Sequence, residues 1–557
     1  MPRSLILLLL FSLSCATTPK TGVPAFAPTG TAKRVVLMSF DGLGADALTR
    51  QVNLPAFERL AQEGMSARVV NANPTHTSST HVSILTGADP QRHGVVANRF
   101  HLPGTPADRA AHGLATEIAV ETLTEAARRQ GKRVGVVSFP TVDNTSSRRT
   151  ADFGLAWTRS AAPSRIVTLT RKDFRSEWVP PTWSTRPQRR PSFSPVMRAR
   201  IDWRVPPAVR ADIDILAYDT TDDRIANYDS YFVEFDGREL APDARGWFAI
   251  SRQTPDGLYG SWSKVLRATP SLELTIYRGS SSRTDAWPAS FRELLDREAG
   301  FWPGVPEEEL EIGPEVFADQ IERLAAFFTA AQKTAIAQMP FDLLLLYQPQ
   351  IDQASHRFLG VAGGEQVIRN AFIAADRAIE TVAQALEPGD ALVVTGDHGA
   401  VVATKEIRMN RLLADRGFPR WQAFTSGSVA HLYYTDAASV PHRAPEGETA
   451  SLIAMLREQG SFEVVEAKSA SHHPNSGDVI AWAFPEVALS HLDTAPAIVT
   501  PQPRGQHGAR NTHRELQPPL FAYGAGIRAG AVGDIRQTQI ARFVAGLLGI
   551  APPAAAE

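Results

Sequence analysis

A single cysteine, Cys15, in a chain of 557 residues leaves no partner for an internal disulfide, so the fold has to rest on packing and, where ligands exist, on metal. Long hydrophobic runs are equally scarce: after the first dozen residues no stretch is apolar enough to read as a membrane-spanning helix. An excess of charge is also lacking, since 57 Lys and Arg stand against 59 Asp and Glu for a formal net charge of -2. That balance excludes electrostatic capture of a nucleic-acid duplex or of an acidic membrane as the organising principle. What remains is an ordinary globular composition, at a length that calls for a main domain and at least one further folded unit.

The chain opens with a short basic start, Met1-Pro-Arg3, and an apolar run from Ser4 to Leu13 that is too brief to cross a bilayer. This reads as an export signal over 1–15, giving a periplasmic or cell-surface address. Ser14 and Cys15 follow the run, which leaves two outcomes: lipidation of Cys15 with membrane attachment, or cleavage near Ala16 and release. Residues 16–32 read as a linker, rich in Pro, Gly, Thr and Ala.

From Arg34 onward, continuous apolar runs alternate with helical patterns. Strands are expected over 35–40, 133–139, 342–347 and 391–395, with helices near 54–64, 115–130, 314–338 and 365–386, and closing elements at 520–523 and 538–548. This is the pattern of an α/β sandwich with a mostly parallel central sheet, whose ligands bind beyond the carboxyl ends of the strands. The core is expected in three parts: 33–150, 301–400 and 501–557. Between them, 151–300 reads as a β-rich insertion carrying seven tryptophans (Trp157, Trp178, Trp183, Trp203, Trp247, Trp262 and Trp287), and 401–500 as a small α+β cap. The tryptophans are expected in a β-sandwich core, and the arginines at 186, 189, 190, 198, 200 and 204 in a solvated loop.

Metal-ligand residue types recur at strand ends far apart in sequence. Asp41 ends the first strand and precedes Gly42; Asp352 and His356 stand four apart after the strand ending at Tyr347; Asp397 and His398 are adjacent at a third strand end; His507 lies between glycines. Carboxylate with neutral imidazole is a donor set that suits zinc. Thr77, in Pro74-Thr-His-Thr77, is placed as the N-cap of a helix closed by Gly87, where free N–H groups and the helix dipole favour a phosphoryl group. Each residue alone has an ordinary structural explanation; the set as a whole does not.

In this order the motifs resemble the nucleotide pyrophosphatase/phosphodiesterase branch of the alkaline phosphatase superfamily. The resemblance covers the α/β core and not the 151–300 insertion. It implies two zinc ions, with manganese or iron as alternatives at one site: Asp352, His356 and His507 around one, Asp41, Asp397 and His398 around the other, and Thr77 at the second ion as nucleophile. It further implies that Asn98, after Pro90-Gln-Arg-His93-Gly94, donates to a phosphoryl oxygen, and that Tyr347 lines the leaving-group side. The expected substrate is a small phosphate ester or nucleotide, cleaved through a phosphothreonine. Where the family has Phe-Pro-Asn after the nucleophile this chain has Ser78-Ser-Thr80, which puts nucleotide preference in question. A phosphomonoesterase, a phosphonate hydrolase and a non-catalytic surface protein binding through the Trp-rich insertion are the alternatives, whereas the sulfatase motif is absent.

Overall fold

The computed structural model describes residues 26–106, 108–158, 160–176, 192–304, 312–435, 442 and 444–557. The export signal, Cys15, Trp178, Trp183, Arg186, Arg189 and Arg190 lie outside them. Two compact units are present, Thr158–Ala330 and the remainder of the chain.

The larger unit is built on one sheet, in the order Phe153–Leu155, Val134–Val137, Leu343–Gln348, Val35–Phe40, Ala391–Gly396, Pro519–Gly524, Met65–Val70. The first five strands run parallel. Pro519–Gly524 is antiparallel to both of its neighbours. The three central strands, VVLMSF, LLLLYQ and ALVVTG, are buried at every position, as strands covered on both faces must be. Their parallel register aligns Phe40, Gln348 and Gly396, so whatever follows each of them emerges at one edge. Asp41 and Asp397 follow directly, and Asp352 arrives on the helix Gln350–Phe358.

The helix expected over 115–130 exists only as Leu123–Arg129, after a short turn at Gly113–Ala115. Thr122 accepts the Glu125 N–H at 3.3 Å and fixes the later start. The helix Pro55–Glu63 has no cap of its own, and Asp376 of Glu365–Gln384 accepts the Ala56 and Phe57 N–H groups instead. Residues 401–500 carry a four-stranded and a three-stranded sheet around one apolar core that includes Trp421, Leu432 and Leu456. The segment before the helix Met409–Asp415 is the strand Lys405–Arg408. It pairs with Val487–Ser490 and Ile498–Val499, and that long-range pairing overrides local preference.

The smaller unit holds two antiparallel sheets that share one core of residues such as Ile213, Val233, Ile250 and Ile276. Trp203 is buried in that core, whereas Trp247 is buried outside it with its Nε1 donating to Asp319 Oδ2, and Trp262 and Trp287 are half-buried. Its limit at Ala330 falls inside the helix Pro314–Gln338, later than the textural change near 300. Arg198, Arg200 and Arg204 are not in a loop: they lie on the strand Met197–Val205, paired with Asp214, Asp212 and Asp202. Sheet pairing places Arg198 and Arg200 across from Asp214 and Asp212 of the next strand, while Arg204 meets Asp202 two residues back on its own strand, and together these pairs turn an apparent basic run into a neutralised face.

Candidate metal and phosphoryl-transfer site

At the carboxyl edge of the central strands, six of the expected side chains gather. Asp41, Asp397 and His398 form one group and Asp352, His398 and His507 a second, with the ligand-type atoms of each group within 4.8 Å of one another. His398 is common to both, and His356 stands at the margin with its Nε2 3.3 Å from Asp352 Oδ2.

The histidines share one arrangement. Nδ1 of His356 lies 3.0 Å from the Gly505 carbonyl, that of His398 3.0 Å from Gly399 O, and that of His507 3.0 Å from Thr75 O. A carbonyl only accepts, so each Nδ1 carries the proton and each Nε2 is left with its lone pair facing the site. Holding the second nitrogen in this way is how metal-binding imidazoles are oriented.

The carboxylates are prepared in a matching way. Asp397 Oδ1 accepts the N–H groups of Gly42 (3.1 Å) and His398 (2.8 Å), and Asp41 Oδ2 accepts the Tyr347 hydroxyl at 2.5 Å. Their other oxygens, Asp41 Oδ1 and Asp397 Oδ2, together with Asp352 Oδ1, are buried with no hydrogen-bond partner. His398 Nε2 lies 3.3 Å from Asp41 Oδ1 and 3.2 Å from Asp397 Oδ2. Lone pair therefore faces lone pair. Such a cluster is costly by itself and is resolved by a cation among the acceptors.

Ionisation points the same way. Burial, then the charges of Asp397 and Asp352, pushes the Asp41 carboxyl well above the usual carboxylate range, and burial with Asp352 does the same to Asp397. Burial also opposes ionisation of Asp352, and positive charge at the positions of His356 and His507 outweighs it and holds that carboxyl below the usual range, a charge that a cation supplies where the imidazoles are neutral. Burial and the neighbouring His507 keep His398 neutral, and burial lowers His507 to about 4. Neutral imidazoles beside clustered carboxylates fit zinc.

Thr77 is the first residue of the helix Thr77–Thr86, and His76 rather than Thr77 is its N-cap. Its hydroxyl is 3.3 Å from His398 Nε2. Asn98 accepts the Ser78 N–H through Oδ1 at 3.0 Å, which fixes the amide orientation and turns Nδ2 away as a donor. Ser78, Ser79 and Thr80 are buried, and their hydroxyls are spent on the carbonyls of Ala97, Pro74 and His76. None of the three offers a surface to substrate. Tyr347, expected to line the leaving-group side, is buried and supports Asp41.

One neighbour, His81, escaped the sequence reading, and another, Trp157, was expected in the sandwich core and is not there. His81, one turn after Thr77, places Nδ1 2.8 Å from Thr77 O and 3.4 Å from Asp397 Oδ2, with Nε2 2.9 Å from Ser39 Oγ; its i+4 spacing from Thr77 was the available signal. Trp157, two residues past the Phe153–Leu155 strand, is 39% exposed and meets Tyr347 edge-on, with ring centroids 6.1 Å apart.

The profile of the type I phosphodiesterase / nucleotide pyrophosphatase family matches residues 35–510. A bis(5′-adenosyl)-triphosphatase of Xenopus laevis is 37% identical over 90 residues, 16% of this chain and 19% of that protein. Human ectonucleotide pyrophosphatase/phosphodiesterase family member 7 is 31% identical over 100 residues, 18% of this chain and 21% of that protein. The aligned stretches thus span about a fifth of these curated relatives. Murine ectonucleotide pyrophosphatase / phosphodiesterase 5 superposes with a TM-score of 0.50 at 14% identity, covering 93% of this chain and 96% of that one, and so shares the fold. An inactive variant of that murine protein has been solved in complex with AMP, with a TM-score of 0.50 at 15% identity over the same shares of the two chains. By the span of the family match and the strand-end residues gathered here, the chain belongs to the type I phosphodiesterase / nucleotide pyrophosphatase family, within the alkaline phosphatase superfamily.

Proposed function

We propose that this protein is an exported, two-zinc phosphohydrolase that cleaves phosphodiester or pyrophosphate bonds of small substrates through a covalent intermediate on Thr77. The observation that carries the reading is the set of three buried, unpartnered carboxylate oxygens facing imidazole nitrogens whose protons are held on the far side. Asp352, His356 and His507 would hold one ion, and Asp41, Asp397 and His398 the other, next to the Thr77 oxygen. Bound there, zinc supplies positive charge that favours the Thr77 alkoxide and the departing oxygen.

The chain's own residues do the rest. Thr77 Oγ1 attacks phosphorus, the bond to the leaving oxygen breaks, and a phosphothreonine forms, itself a phosphodiester when the substrate is one. Asn98 Nδ2 and the positive end of the Thr77–Thr86 helix dipole stabilise charge on the non-bridging oxygens. Water then displaces Thr77 from the opposite side. His81, hydrogen-bonded to Thr77 O, keeps the nucleophile's turn against Asp397.

Nucleotides are the substrate class favoured here over simple monoesters, because Trp157 gives an exposed aromatic face at the ligand edge in place of the missing Phe after the nucleophile. The test is turnover of thymidine 5′-p-nitrophenyl phosphate, bis-p-nitrophenyl phosphate and p-nitrophenyl phosphate by zinc-loaded protein and by Thr77→Ala. Diester preference, reduced roughly a thousandfold or more in the variant, supports the reading. Monoester preference would move the protein to the phosphatase reading, and unchanged turnover in the variant would remove Thr77 from the mechanism.

A further inference from the structure

Asp397 and His398 are consecutive residues just past the strand Ala391–Gly396. In strand geometry consecutive side chains point to opposite faces. Here they converge, with His398 Nε2 3.2 Å from Asp397 Oδ2. The peptide between them therefore has to be held in a fixed departure from the strand, because its flanking torsions, ψ of Asp397 and φ of His398, set the relative direction of the two side chains.

Both ends of the peptide are held. Its N–H, that of His398, donates to Asp397 Oδ1 at 2.8 Å. Its carbonyl, Asp397 O, accepts two side-chain amides, Asn71 Nδ2 at 2.5 Å and Gln537 Nε2 at 3.0 Å. Asn71 and Gln537 are 3% and 1% exposed, so neither bond competes with bulk water. Their neighbouring positions follow from a ladder outside the central strands: Met65–Val70 runs parallel to Ile535–Arg536, with Val69 opposite Ile535 and Val70 opposite Arg536. Continuing one residue along each strand brings Asn71 beside Gln537. The Gln537 N–H donates to Val70 O, and Gln537 Oε1 accepts the Ala72 N–H at 3.0 Å, which keeps its amide nitrogen aimed at Asp397. The pair lines a cavity of about 200 Å³ together with Asp89, Gln91, Asn511 and Thr538.

We infer that Asn71 and Gln537 are positioning residues for the metal site: an amide clamp on the Asp397 carbonyl that sets two adjacent ligands at once. The inference rests on the two-zinc reading above. Supports of this kind, one step removed from a metal, typically contribute 10- to 100-fold in affinity. A carbonyl bonded by two amides loses only part of its restraint when one is removed. Asn71→Leu and Gln537→Met, which keep bulk while removing the donor, are thus each expected to weaken zinc binding about tenfold, and the double variant about a hundredfold.

The experiment is chelator competition on the purified full-length protein, reading the free zinc at half-occupancy, with the visible spectrum of the cobalt-substituted protein and the thermal midpoint recorded beside it. Gln91→Ala, in the same cavity but without contact to Asp397, is the control. Weakened zinc binding and an altered cobalt spectrum in the clamp variants, with the control unchanged, support the inference. If the wild type binds zinc and the clamp variants bind it equally well with the same cobalt spectrum, the clamp has no positioning role. If clamp and control variants weaken binding alike, the cavity as a whole is responsible and the inference also fails. A wild-type protein that binds no zinc would instead sink the two-zinc reading itself. Should the double variant not fold, the two single variants still decide the matter.

Discussion

Gly42 offers the sharpest perturbation of the site short of removing a ligand. It follows Asp41 at φ +73°, and a Cβ there would lie 2.8 Å from Asp352 Cα and 3.0 Å from Asp352 N and Cβ. Gly42→Ala has two separable costs. The left-handed conformation of a non-glycine residue costs about 1–2 kcal/mol. The clash is with backbone, so relief to an ordinary contact of 3.4 Å requires Asp352 to retreat by the difference, 3.4 minus 2.8, or about 0.6 Å. Metal–ligand distances tolerate only about 0.2 Å, and misplacements near 1 Å cost on the order of a hundredfold in rate. The variant should therefore lose roughly tenfold to a hundredfold in kcat and hold less zinc after dialysis, with a modest fall in stability. Gly104, at φ +80° with nothing within 4 Å of a built Cβ, isolates the first cost, and Gly104→Ala should leave kcat and zinc content unchanged. Full activity and two retained ions in Gly42→Ala would refute the claim that contact between the Asp41 turn and the Asp352 helix sets the site.

Trp157→Ala should raise KM for thymidine 5′-p-nitrophenyl phosphate by about 5- to 100-fold, the worth of one base-stacking contact, and change methyl p-nitrophenyl phosphate little; an equal effect on both would remove Trp157 as a base platform. Burial holds His93 near about 3 and His431 near about 4, below the unfolded value of about 6.5, so both are neutral in the fold. Their depressed values mean that the unfolded chain binds the extra protons: stability is full above pH 6.5 and declines as pH falls toward the folded values, by roughly 2 kcal/mol per histidine between pH 6.5 and 5. Urea unfolding of the EDTA-treated protein at those two pH values would show it, and a flat profile would contradict it. Asp376→Ala should cost about 1–2 kcal/mol in the same assay by uncapping Pro55–Glu63, and no loss would mean that water caps that helix equally well.

The buried strands were legible because they are apolar at every position between polar breaks: Val35–Phe40 was placed at both ends from its run alone. Asp41, Asp397 and His398 were legible because they stand at the end of such runs, Asp352 and His356 because of their i, i+4 spacing after one, and His507 because of the glycines around it. What sequence could not give was anything set by distant pairing. Lys405–Arg408 is a strand only because Val487–Ser490 lies beside it, and Arg198 and Arg200 are neutralised only because sheet pairing brings Asp214 and Asp212 to them. The late start at Thr122 was within reach, since Thr122-Leu-Thr-Glu125 has the Thr-x-x-Glu spacing of a helix start. Asn71 and Gln537 stand 466 positions apart and carry no ligand chemistry of their own, so only the parallel ladder beneath them reveals what they share.

The central claim, two successive displacements at phosphorus through Thr77, is tested most directly by stereochemistry. A phosphorothioate diester of known configuration, hydrolysed by the zinc-loaded protein in labelled water, should give product with configuration retained, because attack by Thr77 and attack by water each invert it once. Inversion would mean that water attacks the substrate directly and that Thr77 is not the nucleophile.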